Sequence, residues 1–269
     1  MLGFAGLAVL LCAGCVGGAG GGAGGSSDSS AAAAVARAAR ATEGVPSVHY
    51  RISGRIPEQG QVETEASVAA KPARARMVTT SRADGNAGKA ELRLVDGVLY
   101  QSMTENGVAQ QTHGRHWADF GPDARFTAGS GLKMDVGGLR DQVGRNPARD
   151  AAFLAAADDV RRTGTETVAG SRTTHYTGTA TLDHLRDLVT GKAKADLAQY
   201  KTLGVDELTL DVWVDGDDHV RRLRTQGFGR HGELDLTVTL LDFGTPVTVR
   251  APAADDTVDL REQAGKSRG

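Results

Sequence analysis

Chemistry in this chain would have to come from seven histidines, two cysteines and the hydroxyls and carboxylates near them. His113-Gly-Arg-His116 sets two imidazoles close together, yet no carboxylate ligand stands at a metalloprotease spacing, so the pair reads as a polar loop. His175 and His184 flank separate predicted elements and read as surface residues, not as parts of one acid–base pair. Ser130 sits in Ala-Gly-Ser-Gly-Leu, which is not the Gly-x-Ser-x-Gly turn that lifts a nucleophile above a sheet. Asp215-Gly-Asp-Asp218 lacks the length and the terminal Glu of a calcium loop and is expected to be a hairpin turn. No glycine-rich phosphate loop follows a strand. The expectation is a non-enzyme that needs neither cofactor nor metal.

Cys12 and Cys15 are the only cysteines, so disulfides, cysteine–zinc sites and thiol catalysis are excluded from any domain downstream of them. Met1 to Val16 is apolar and carries no side-chain charge; too short to span a bilayer, it suits the apolar core of a signal peptide. Leu11-Cys-Ala-Gly-Cys15 resembles a bacterial lipobox, in which small residues precede a cysteine that is diacylated after cleavage. That resemblance makes Cys15 the expected lipidation site and residues 1–15 the signal peptide. Residues 16–30, Gly, Ala and Ser apart from Val16 and Asp28, cannot bury a core and are expected to form a flexible tether. A diacylated cysteine on such a leash would hold a soluble domain on the extracytoplasmic side of the cell membrane, since two chains suffice for stable anchoring.

The elements that must build that domain are mostly strands. Leu208, Leu210, Val212 and Val214 alternate with Thr209, Asp211, Trp213 and Asp215. Leu234, Leu236, Val238 and Leu240 alternate with Asp235, Thr237 and Thr239, and a strand from about His219 to Phe228 lies between. A period of two with one greasy side is the mark of a sheet buried on a single face. Val48, Tyr50, Ile52 and Ile56 alternate in the same way, and Val62 to Val68 and Ala73 to Ser81 continue the run. Leu92 to Tyr100 is a hairpin about Asp96-Gly97, and Arg172 to Leu182 is a Thr-rich strand. Helices are expected over Ala31–Thr42, about Gly137–Gln142, about Ala148–Arg162 and roughly Asp183–Leu203. The outcome is an α+β domain over residues 31–262, one large curved antiparallel sheet with helices on one face, and a disordered tail at 263–269. Aromatic residues make up only 4%, so the core must rest on Val, Leu and Ala. A net charge of −2 with both signs interspersed gives no footprint for nucleic acid.

Leu92-Arg-Leu-Val-Asp-Gly-Val-Leu-Tyr100, Trp117 with Gly121-Pro122, and Gly164 to Gly170 with Thr174-His-Tyr-Thr-Gly178 together resemble actinobacterial cell-envelope lipoproteins of the LppX/LprA/LprF/LprG family. Val212-Trp-Val-Asp215, His219 to Leu223, and Leu241 to Val249 before Ala251-Pro252 fit the family's closing strands. The resemblance covers roughly Ala31 to Leu260. It implies a half-barrel of antiparallel strands with helices over the concave face, distantly similar to the carrier LolA and to part of the regulator RseB. It also implies an apolar cavity for the acyl chains of a lipid or glycolipid, and no enzymatic activity. The residues expected to line it are Tyr50, Ile52, Leu208, Leu210, Val212, Val214, Leu234, Leu236, Val238 and Leu240. The competing expectation is a regulatory or sensory module that binds an envelope protein through the same fold.

Overall fold

Hairpin chemistry and alternation assemble the sheet in two meanders. The structure is a computed structural model that describes residues 25–83, 86–102, 114–121, 125–127, 133–188 and 192–260. The first meander comprises β1 (Ser47–Ile56), β2 (Gly60–Ala69), β3 (Arg74–Ala83), β4 (Asn86–Val95) and β5 (Val98–Ser102). Short β6 (Trp117–Asp119) extends it, and β7 (Arg125–Thr127) pairs with β8 (Lys133–Asp135) in a separate two-stranded ribbon. The second meander is β9 (Arg161–Val168), β10 (Ser171–Thr181), β11 (Glu207–Asp215), β12 (Val220–Gly229) and β13 (Gly232–Phe243), with β14 (Thr257–Asp259) near the chain end. The first strand of the chain pairs with the last of the second meander, β1 with β13, and this joins both into one open, curved sheet of 12 strands. All its pairings are antiparallel except β14 on β6, which is parallel. The expected antiparallel sheet is therefore mixed at that one end.

Turn residues behave as their chemistry requires. Asp96 and Gly97 both take positive φ (51° and 82°), the conformation that lets a two-residue loop follow the twist of its strands. Asp215 Oδ1 accepts from the backbone N–H groups of Asp217 (3.0 Å) and His219 (2.9 Å), so this aspartate closes a hairpin.

Helix α1 (Gly25–Glu43) buries Ala31, Val35, Ala38, Ala39 and Thr42, a stripe at helical spacing. It lies against β9, β11 and β12 and against α3 (Ala151–Ala155). Its end is tied down by Thr42, which donates to the Ala38 carbonyl (2.8 Å) and accepts from Val220 N–H (2.8 Å). Asn146 donates to the Thr42 carbonyl (2.6 Å), satisfying a terminal acceptor that the helix itself cannot pair. Helix α2 (Val136–Val143) rests on β3 and β4, and α3 and α4 (Leu182–Leu188) rest on β10, beside α5 (Lys192–Thr202).

Three sequence expectations need correction. The tether was expected to reach residue 30, but α1 begins at Gly25. The helix expected over 148–162 is a 3-10 turn (Pro147–Asp150) and the short α3, after which Arg161 and Arg162 already belong to β9. The reason is Asp159: its carboxylate accepts from Thr179 N–H (2.6 Å) and Thr179 Oγ1 (3.0 Å) and so ties the chain to β10 instead of continuing a helix. The helix expected over 183–203 is two helices, α4 and α5. Cys15, the signal segment, His113, Ser130 and the tail at 263–269 lie outside the described residues.

Candidate functional site

Register brings the predicted apolar residues onto one face. Tyr50 stands opposite Leu240, and Ile52 opposite Val238. Val238 is in turn opposite Leu223, Leu223 opposite Val212, and Val212 opposite Tyr176. One lateral ladder thus runs Tyr176, Val212, Leu223, Val238, Ile52 and Thr64 across the sheet. Thr64 is buried in this face and its hydroxyl is satisfied by that of Thr79 at 2.8 Å. All ten predicted residues belong to, or pack against, a single hydrophobic core.

Packing divides them. Tyr50, Leu208, Leu210, Val212, Val214, Leu234 and Leu240 are buried, whereas Ile52, Leu236 and Val238 are half-exposed. The sealing side chains come from α3 and α1: Phe153, Leu154 and Val35 are buried on the same core. Leu154 reaches the sheet because β10 carries Gly178 there. The lining residues on β11 are therefore packed under helices, not open to a ligand. The open part of the face is a strip of Ile52, Ile56, Met77, Leu236 and Val238 on β1, β3 and β13, none of them fully covered. Ile56 and Met77 extend the predicted set; their alternation within β1 and β3 was the available signal.

Burial pushes the Tyr50 phenol up to about 12, with the Arg145 guanidinium opposing the shift. Arg145 itself is paired with Asp150 through two contacts of 3.2 Å. A hollow of about 180 Å³ opens beside these residues, walled by Val48, Val68, Pro46, Arg145 and Asn146 at the end of α1.

The opposite face is polar, as the alternation requires, but it is not flat. A trough of about 500 Å³ crosses β1, β13, β12 and β11, with Trp213, Arg222 and Asp235 among its walls. Trp213 points to this outer face yet is only 6% exposed, because His175 stacks on it (centroids 4.2 Å apart, 7° between planes) and Arg222 lies over the ring. His175, expected as a surface residue, is held between Asp211 (2.8 Å) and Glu166 (3.4 Å) with 18% of its side chain exposed. His116 and Asp256 contact at 2.7 Å, and His184 lies 3.4 Å from Asp158. Among the described residues no group of three or more His, Cys, Asp or Glu side chains could hold a metal ion, and no helix is long and apolar enough to cross a membrane.

An open sheet of this width, with one apolar face partly roofed by helices, defines the class of protein. The chain belongs to the LppX_LprAFG lipoprotein family, whose family model matches residues 30–249. It is 31% identical over 193 residues to a 31.2 kDa Streptomyces griseus protein encoded between rplA and rplJ, and 32% identical over 174 residues to SCO4650 of Streptomyces coelicolor. Those alignments take in 69% and 64% of this chain but only 62% and 52% of the respective relatives, so the chain spans somewhat over half their length. The fold is similar to that of the lipoprotein LppX from Mycobacterium tuberculosis (TM-score 0.52, 18% identity, 83% of this chain and 100% of that one). It is also similar to LprF from Mycobacterium bovis (TM-score 0.50, 17% identity, 86% and 100%).

Proposed function

We propose that this protein is an extracytoplasmic lipoprotein, anchored to the cell membrane through Cys15, that binds the acyl chain of a lipid or glycolipid and carries or presents it within the envelope. The observation that carries the reading is the half-open strip of Ile52, Ile56, Met77, Leu236 and Val238, flanked by a sealed apolar core on the same face of the sheet. Family membership and the lipobox-like Leu11 to Cys15 support it. An acyl chain laid along this strip would complete the burial that helices provide over β11. Each methylene so covered contributes about 0.8 kcal/mol, so chain length governs affinity more than head-group identity does. A binder of this kind needs walls, not a nucleophile, and acts as a carrier rather than an enzyme.

The test is displacement of a fluorescent fatty acid from a soluble form that begins at Gly25, the first residue of α1. Affinity should rise steadily across chains of about ten to twenty carbons. A folded protein that takes up no probe at any length would instead point to a protein-binding module. For the anchor, Cys15→Ala should abolish incorporation of a fatty-acid label, whereas Cys12→Ala should leave it intact. Labelling that persists in Cys15→Ala would overturn the assignment.

A further inference from the structure

On the inner face of β1, Val48, Tyr50 and Ile52 follow one another at alternate positions, and Ile56 lies further along the same face beyond Gly54. Their surroundings differ. Ile52 and Ile56 belong to the half-open strip, whereas Val48 is buried and walls the hollow of about 180 Å³ at the end of α1. Two spaces that no side chain fills therefore lie on one face, one toward each end of β1. Tyr50 stands between them, about 7 Å along the strand from Val48 and from Ile52, and only 3% of it is exposed.

The separation of the two spaces rests largely on this one ring. Tyr50 is opposite Leu240 on β13 and Ala66 on β2. Ala66 carries a single methyl group, so between β1 and β2 only Tyr50 has the bulk to form a barrier. Its phenol reaches toward the hollow, since the charges of Asp150 and of Arg145, a wall residue there, both act on it. The hollow suits hydrocarbon on one side and water on the other. Val45, Val48 and Val68 supply its apolar wall, and Glu43, Arg145 and Arg149 its polar one.

A buried aromatic is ordinarily packing, and truncating it leaves a closed cavity. Here truncation would join two spaces that already exist. We propose that Tyr50 is the residue that sets chain length in the acyl site. An acyl chain on the strip ends against its ring, and the hollow beyond is space that the ring denies it. This inference rests on the acyl-chain reading and adds to it the group that limits the ligand.

The test is competitive loading of the full chain, purified in detergent, with an equimolar mixture of saturated fatty acids. The non-covalently bound fraction is extracted and its chain lengths are read by mass spectrometry, with a heat-denatured sample subtracting what the micelles retain. Over lengths of about ten to twenty-six carbons, occupancy in the parent should rise by up to about fourfold per methylene and then level off. In Tyr50→Ala the rise should continue for about four further carbons. Ala70→Phe, at an exposed position on the wall of the hollow, should leave the parent profile unchanged and return that of Tyr50→Ala to it. If Tyr50→Ala fails to fold by circular dichroism, Tyr50→Leu carries the same comparison with a smaller extension. No bound fatty acid in the folded parent would remove the acyl-chain reading and this inference with it. Loading of the parent with the same limiting length in the folded Tyr50 variants, or a longer limit that Ala70→Phe does not reverse, would overturn the role of Tyr50 alone.

Discussion

Leu154 of α3 sits directly over Gly178 of β10: a Cβ at position 178 would come within 2.9 Å of Leu154 Cδ1 and equally close to Asp159 Oδ1. This contact lets the short helix lie on the sheet and seals the apolar row of β11 beside it. It predicts a graded response. Gly178→Ala meets the end of Leu154, which can swing aside, and Asp159 Oδ1, which Thr179 N–H holds, whereas Gly178→Val adds methyl groups that push both away. Overpacking of that kind costs typically 1–3 kcal/mol, about what chemical denaturation of Gly178→Val should report. Equal stability of the valine variant and the parent would mean that α3 is not held against β10.

Thr42 joins α1 to the second meander through one hydroxyl, which donates within the helix and accepts from Val220 N–H. Both contacts are buried. Thr42→Val keeps the shape but leaves a buried backbone donor without a partner, a loss of about 1–3 kcal/mol. Thr42→Ser restores the acceptor and should recover most of that loss in the same denaturation experiment. If Thr42→Val and Thr42→Ser prove equally stable, packing and not the hydrogen bond holds the helix end.

Tyr50 gives the fold a dependence on alkaline pH. Its phenol ionises at 10.0 in the unfolded chain and, because of burial, at about 12 in the folded one. Below pH 10 the group is neutral in both states and its contribution is fully present; as pH rises from 10 toward 12 the unfolded chain ionises first, so stability is lost. Other groups titrate in that range too, so the measurement is a comparison. Urea midpoints of the parent and Tyr50→Phe, taken at about pH 9 and about pH 11, should show a smaller alkaline fall in the phenylalanine variant. An identical fall in both would show that Tyr50 does not remain neutral in the folded state.

The apolar face was legible because period two is a local property: Leu208 to Val214, Leu234 to Leu240 and Tyr50 with Ile52 each declare a face within a few residues. The Asp96-Gly97 hairpin was legible for a similar reason, since the dipeptide fixes its own turn. What alternation does not encode is which row ends under a helix. That depends on Gly178 admitting Leu154, a contact between β10 and a segment whose Ala-rich composition reads as a longer helix than α3. The outer trough was not legible because it needs residues of β1 and β12 on one surface, strands brought together only by the pairing of both with β13. Trp213 was correctly placed on the polar face, but its burial there depends on the His175 stack, which comes from register with β10.

The most direct test of the central claim is mass spectrometry of the organic extract from the full-length protein purified from its own membranes, run on the parent, Val238→Lys and Leu208→Ala. Val238 lies on the half-open strip, so a lysine there can reach solvent in the empty protein but places an unpaired charge against a bound acyl chain. Leu208 is fully buried under the helices, and its truncation should cost about 2–5 kcal/mol of stability without touching the strip. The account predicts a chain-bearing lipid at roughly one per protein molecule in the parent, a folded but emptied Val238→Lys, and a destabilised but still loaded Leu208→Ala. A folded parent that yields no lipid beyond its own anchor, or a Val238→Lys variant loaded as fully as the parent, would contradict it.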